Sequence, residues 1–277
     1  GTATSGPAYT ATRIGNDSGS ENFKGRLNDL RAYSRALTTA EIAALAAGNG
    51  GDTYTATLSG NPLVAQNNLT ITSGTLDASA SNCSSSSCNA TVGGNWANSG
   101  TFTPRTGTVT LNGASGTKTI TSGGSSFYNL TLNDGGGTAT FELQDALDAN
   151  NNLTITGGTL DVKSGGNFPI TIAGNWTNND LFTARTGTVT FDGTNQSILG
   201  STTFYNFSKT ESTDNSTDVI LTFGNTGTQT ISGLLTFDGL DDNDRINLVS
   251  DSPTNQWSLT ANGTFAIDYV DVRDSDA

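Results

Sequence analysis

The residues able to do chemistry are few, and their types exclude more than they offer. The chain has no histidine, which removes the commonest general base, the usual partner of a nucleophilic serine and the commonest zinc ligand. Two arginines stand in matching contexts, Arg105 and Arg185, each followed by Thr-Gly-Thr-Val. A guanidinium there can bind an anionic glycan, or it can pair with turn carbonyls or an acid of a neighbouring coil. Trp96 and Trp176 likewise share a Gly-Asn-Trp triplet, and their flat rings suit either stacking on a sugar ring or packing in a core. Acids gather as Asp214 with Asp218, as Asp241, Asp242 and Asp244, and as Asp268, Asp271, Asp274 and Asp276. Calcium favours such oxygen ligands, yet no stretch has the EF-hand loop or the Gly-Asp nonapeptide of calcium-binding β-rolls, which leaves solvated turns as the plain reading. Two carboxylates flanking a glycosidic bond would make a polysaccharide-cleaving site, but nothing marks one pair above another. The expectation is a chain with no catalytic residue, no metal and no cofactor.

Charge and sulfur narrow the setting. Twelve basic against 25 acidic side chains give a net charge of −13, which repels nucleic-acid phosphates and anionic lipid surfaces. No apolar run approaches the roughly 20 residues that cross a bilayer, so neither nucleic acid nor membrane insertion is expected. Cys83 and Cys88 enclose four serines in CSSSSC. With no second cysteine pair to complete a metal site, a small local disulfide is the expected state, and it implies an oxidising compartment. The absence of methionine reads as a processed product or a fragment.

The elements that must position these residues announce themselves by repetition. NNLTITSGTLDA from Asn67 returns as NNLTITGGTLDV from Asn151, and GNWANSGTFTPRTGTVTLNG from Gly94 returns as GNWTNNDLFTARTGTVTFDG from Gly174. Such self-similarity marks an architecture in which like units stack and bury a continuous core. Short alternating strands recur at Leu69, Val92, Val109, Leu130, Leu153, Ile172, Val189 and Phe207. Gly-Thr pairs at Gly74, Gly100, Gly116, Gly137, Gly158 and Gly227 introduce a second set, with glycine where the chain turns and β-branched residues where it extends. The spacing predicts an all-β parallel β-helix, a β-solenoid with rungs of about 17–23 residues stacked at about 4.8 Å. Tandem small β-sandwiches are the alternative. The interval from Phe207 to Leu235, containing ESTDNSTD, reads as an inserted loop or an extra rung. Asn-x-Ser/Thr triplets at Asn68, Asn89, Asn129, Asn152, Asn175 and Asn262 read as by-products of an Asn/Thr-rich repeat.

Residues 1–50 differ, which divides the chain into 1–50 and a solenoid over 51–277. Thr38 and Glu41 form a capping box ahead of Ile42, Leu45 and Ala46, and GNGG from Gly48 stops that helix. Ile14, Gly15, Phe23, Gly25, Asn28, Asp29, Arg31, Tyr33, Arg35, Ala36, Leu37, Glu41 and Ile42 together resemble the closing strands and helix of a laminin-G-like, concanavalin A-like jelly roll. The resemblance covers about residues 14–47 and implies a jelly-roll remnant, in a family whose members often bind glycans; a partial jelly roll exposes unpaired edges and an apolar face, so docking on a neighbouring subunit by strand addition is the expectation. The repeats from Asn67 to Phe207 resemble those of large secreted bacterial surface proteins, which implies an extracellular or cell-surface location, adhesion or scaffolding.

These readings converge on a non-enzymatic structural subunit of a fibre or sheath, a homo-oligomer or homopolymer joined through its ends. The alternating run Phe265, Ile267, Tyr269, Val270, Val272 near the last residues looks like an uncapped interface. The alternatives are a glycan-binding adhesin stalk, with Trp96 and Trp176 as ligand platforms, and a polysaccharide-degrading β-helix enzyme.

Overall fold

The computed structural model describes residues 55–57, 62–78 and 88–276. Residues 1–50, with the expected helix and the jelly-roll remnant, lie outside the described residues. The sequence pattern of three to seven β-branched or apolar-alternating residues, broken by glycine, asparagine or aspartate, yields short strands and no helix among the described residues. Every named strand pairing is parallel, so each strand inside a sheet hydrogen-bonds to the strands one turn before and after it, and a strand at the end of a sheet to one of them. The strands expected at the eight alternating segments and at the six Gly-Thr pairs are all present.

About 9 turns stack into a three-faced β-solenoid. The long face is a ten-stranded sheet running from Leu63–Ala65 to Val270–Val272. The second face carries six strands between Leu69–Ile71 and Leu181–Thr183, then four from Thr202–Phe204 to Ser275–Asp276. The third face carries three strands from Thr55–Thr57 to Thr101–Thr103, then six from Leu147–Ala149 to Thr264–Asp268, with a bridge at Phe127 and Ala149 spanning the gap. One turn therefore reads Leu153–Ile155, Thr159–Asp161, Ile170–Ile172 and back to Trp176–Asn178.

Turn length varies more than the expected 17–23 residues, from 18 between Val189 and Phe207 to 30 between Leu235 and Phe265. The cause is that the positions set equal in the sequence lie on different faces. Val109, Leu130 and Leu153 do share a ladder. Leu69, however, pairs with Trp96 on the second face, Val92 pairs with Leu111, and Ile172, Val189 and Phe207 belong to the third face. Phe207 pairs directly with Leu235, so ESTDNSTD is an insertion within one turn and adds no rung.

The sequence repeat and the turn are out of step. From Leu69 the chain makes three turns through Trp96, Ile120 and Leu143, then crosses two further faces to reach Leu153. Each repeated segment consequently appears on a new face: Trp96 lies on the second face and Trp176 on the long one, and Thr108–Leu111 on the long face recurs as Thr188–Phe191 on the third. The fold tolerates this because all three faces pose the same demand, one inward apolar position in two. Strands such as Leu153–Ile155 and Ile170–Ile172 show it, with both ends buried and the middle threonine half-buried.

Gly174 shows why glycine opens the repeated Gly-Asn-Trp corner. A Cβ there would sit 2.5 Å from the carbonyl carbon of Asn151 in the turn beneath, a distance no side chain can occupy.

Candidate functional site

Trp96 and Trp176 are 1% and 0% exposed, so neither offers a face to a ligand. Each anchors an aromatic triangle in the core. Trp96 packs edge-on to Phe102 with centroids 4.8 Å apart and meets Phe127 at 5.1 Å. Trp176 repeats this with Phe182 at 5.0 Å and Phe204 at 5.4 Å, and its indole N–H donates to Thr202 Oγ1 at 3.0 Å. In both copies the indole comes from one face and the two phenylalanines from the next face, one turn apart.

Two residues past each tryptophan stands a buried asparagine that the sequence reading passed over. Asn98 Nδ2 donates to the Ser122 carbonyl at 2.8 Å and to Ser125 Oγ at 3.0 Å. Asn178 Nδ2 donates to the Ser201 carbonyl and to Thr202 Oγ1 at 3.0 and 3.1 Å. Their shared offset from Gly-Asn-Trp was the available signal.

The Asn-x-Ser/Thr triplets also have a structural use. Asn68 Oδ1 accepts the Asn95 N–H at 2.8 Å, and Asn95 Oδ1 accepts the Thr119 N–H at 2.9 Å. Higher up, Asn129 Oδ1 accepts the Asn152 N–H, Asn152 Oδ1 the Asn175 N–H and Asn175 Oδ1 the Ser197 N–H, at 3.2, 2.9 and 2.7 Å. Each amide oxygen thus bonds the turn above it, satisfying an N–H at a corner or, for Thr119 and Ser197, within a strand of that turn.

Arg105 and Arg185 are engaged by acids of the preceding turn. Arg105 forks onto Asp77 at 2.7 and 2.5 Å, and Arg185 onto Asp161 at 3.0 and 2.7 Å. Both arginines adopt left-handed backbone, φ 53° and 50°, in turns closed by the Gly107 and Gly187 N–H groups. Such a φ is costly for any residue that carries a Cβ, and the bidentate ion pair offsets that cost. Hydrogen bonding to Arg185 holds the Asp161 carboxyl below the usual carboxylate range, against the opposing effect of burial. A carboxyl depressed in the folded state stabilises it above the unfolded-state pKa of about 3.9, and that contribution is lost as pH falls through the lower folded value. Asp161→Asn should therefore lower the thermal midpoint by about 2–4 °C at pH 7. The gap from wild type should close on acidification below pH 3, as calorimetry across that range would show.

The acids disperse, with one exception. Asp218 accepts the Arg245 N–H and the Asn247 side-chain amide at 2.9 and 3.0 Å, which pulls its pKa down. Arg245 reaches Asp242 and Asp271 at 2.5 and 3.4 Å. Asp214, Asp241 and Asp244 instead converge, with carboxylate oxygens all within 4.8 Å of one another.

A buried lysine also escaped the sequence reading. Lys209, fully buried, directs its ammonium at the Gly193 carbonyl, the Thr194 carbonyl and Gln196 Oε1. Cys88 is disulfide-bonded and buried; Cys83, its expected partner, lies outside the described residues.

Among the described residues the last turn is uncovered. Thr264–Asp268 is exposed at every residue, and Phe265, Ile267 and Val272 are 60%, 54% and 54% exposed. Beside them the core shows through an apolar hollow of about 270 Å³ lined by Leu235, Phe237, Leu248, Trp257, Leu259 and Val270.

No protein-family model, no curated protein and no solved structure matches this chain. None of these comparisons supports the likeness to a jelly roll or to surface-protein repeats.

Proposed function

We propose that this chain is a non-enzymatic structural subunit of an extracellular or cell-surface assembly, a fibre or sheath, in which copies join through the open turn of the solenoid. The observation that carries the reading is the exposed apolar layer of Phe265, Ile267 and Val272 beside an open hollow into the core. Among the described residues, its strands Thr264–Asp268 and Val270–Val272 each hydrogen-bond to a single neighbouring strand and leave their other edge unpaired. Such an edge is satisfied by another strand of the same direction, and a head-to-tail contact whose rotation does not close on itself propagates as a filament. The disulfide at Cys88 supports an oxidising compartment. The burial of both tryptophans and the pairing of both arginines support a chain whose side chains serve its own stack.

The test is concentration-dependent assembly of the purified chain, followed by sedimentation and electron microscopy. Wild type should form filaments. Ile267→Lys, which places a charge in the apolar layer, should stay dispersed with an unchanged far-ultraviolet circular dichroism spectrum. A wild-type chain that stays monomeric at high concentration would refute the reading.

A further inference from the structure

We propose that Asp214, Asp241 and Asp244 bind a calcium ion that ties the insertion of one turn to the corner loop of the next. Three carboxylates lie with oxygens within 4.8 Å of one another, and among the described residues none of the three is in an ion pair. An acidic cluster alone would be an ordinary solvated surface. Asp244 makes this one different, because it is 0% exposed and its Oδ2 is buried without a donor. Its other oxygen is spoken for: Oδ1 accepts the Thr217 N–H at 2.8 Å and the Asn215 N–H at 3.3 Å. A buried carboxylate with one oxygen lacking a proton donor, grouped with two further carboxylates, is the arrangement that a cation satisfies.

The donor set selects the ion. All three ligands are hard oxygens, with neither imidazole nor thiolate, which fits calcium or magnesium and disfavours zinc or copper. Oxygens on opposite sides of one calcium are separated by about 4.6–5.2 Å, twice its bond length, whereas magnesium holds them within about 4.2 Å. Three carboxylate oxygens within 4.8 Å of one another fit inside the calcium shell, and magnesium, which dehydrates reluctantly and is usually held by one or two carboxylates, is the poorer match to three. The ligands also bridge separate segments. Asp214 lies in the ESTDNSTD insertion before the strand Val219–Phe223, while Asp241 and Asp244 lie in the corner before Ile246–Ser250, the strand stacked on it. Asp244 already clips the insertion through Asn215 and Thr217, and the ion would complete that clip.

The test uses the full chain, with calcium chloride as the probe, in titration calorimetry and thermal melts against magnesium chloride and EDTA. Calcium at ~5 mM should raise the midpoint by several degrees and produce saturable heat at about one ion per chain. Magnesium should give a clearly smaller shift. Asp214→Asn removes an exposed ligand and should weaken calcium binding at least tenfold while leaving the EDTA midpoint unchanged. Asp244→Asn keeps the Oδ1 acceptor and should abolish the calcium-dependent shift. The proposal is overturned if calcium and EDTA melts coincide, if magnesium acts equally, or if both variants bind calcium as wild type does.

Discussion

Replacing Trp176 with alanine is expected to unfold the middle of the solenoid, at a cost of about 3–5 kcal/mol. The indole is 0% exposed and holds Phe182 and Phe204 in one aromatic triangle, so its removal leaves a cavity bordered by two rings from successive turns. It also strips Thr202 Oγ1 of its indole donor. In a stacked fold each turn is stabilised chiefly by its neighbours, so a weakened interface at mid-stack divides the array. Trp257 supplies the contrast. It stacks on Phe223 at 4.3 Å and donates to the Arg273 carbonyl, but it lies in the penultimate turn, where Trp257→Ala should fray only the last strands. Urea unfolding followed by circular dichroism should give a lowered or split transition for the Trp176 variant and a near wild-type main transition for the Trp257 variant. If Trp176→Ala keeps the wild-type midpoint, the aromatic triangle is not what holds these turns together. A ligand-binding tryptophan would behave that way, losing a partner while keeping the fold.

How much of this was legible in the sequence depends on which periodicity is asked about. Strand positions were, because the inward residue in two and the glycine at each corner are local demands that every turn repeats. The assignment of strands to faces was not. NNLTI at Asn67 and at Asn151 look equivalent, yet Leu69 lies on the second face and Leu153 on the long one. Local pattern specifies inward against outward and says nothing about which of three similar faces a strand joins. That is set by the number of corners crossed, which the insertions obscure.

The polar residues divide along the same line. Arg105 and Arg185 fell into the alternative of pairing with a neighbouring coil's acid because both copies keep the same turn, although the acids they chose, Asp77 and Asp161, are separated from them by a whole turn of chain. Asp214 and Asp244 were visible as acids but not as partners. What joins them is the stacking of the insertion on the following corner, and no spacing within either segment encodes it. The Asn98 and Asn178 corner bonds and the asparagine caps were legible only as recurrences, since their function is to satisfy a backbone group one turn away.

Lys209 is where the repeat itself points to an anomaly with a measurable consequence. Aligning YNFSK from Tyr205 with YNLTL from Tyr128 sets Lys209 against Leu132, a fully buried core residue. In the third face Lys209 stands between Phe191 below and Phe237 above, in a column of otherwise apolar residues. Its ammonium is held by corner carbonyls and by Gln196, which itself donates to the Ile172 and Gly174 carbonyls at 2.8 and 2.6 Å. The interaction satisfies three acceptors, but burial still disfavours the charge and pushes the Lys209 pKa down to about 8, despite the opposing pull of Glu211 and Asp192. The sign follows. Below pH 8 the ammonium is charged in both states and the folded state bears the full desolvation cost. Between pH 8 and about 10.4 the folded protein releases the proton while the unfolded chain keeps it, so stability rises with pH. Allowing for solvent screening at the corner, the gain is on the order of 2 kcal/mol. Lys209→Leu installs the residue of the other repeat and should abolish this rise, while costing about 1–3 kcal/mol at pH 9 and above for the carbonyls left without a donor. Urea midpoints of the two proteins between pH 7 and pH 10 are the measurement, and the quantity to follow is their difference, because tyrosines and other lysines titrate alike in both. A difference that widens with pH in favour of wild type places the buried ammonium in the core. Parallel curves would mean that Lys209 meets water.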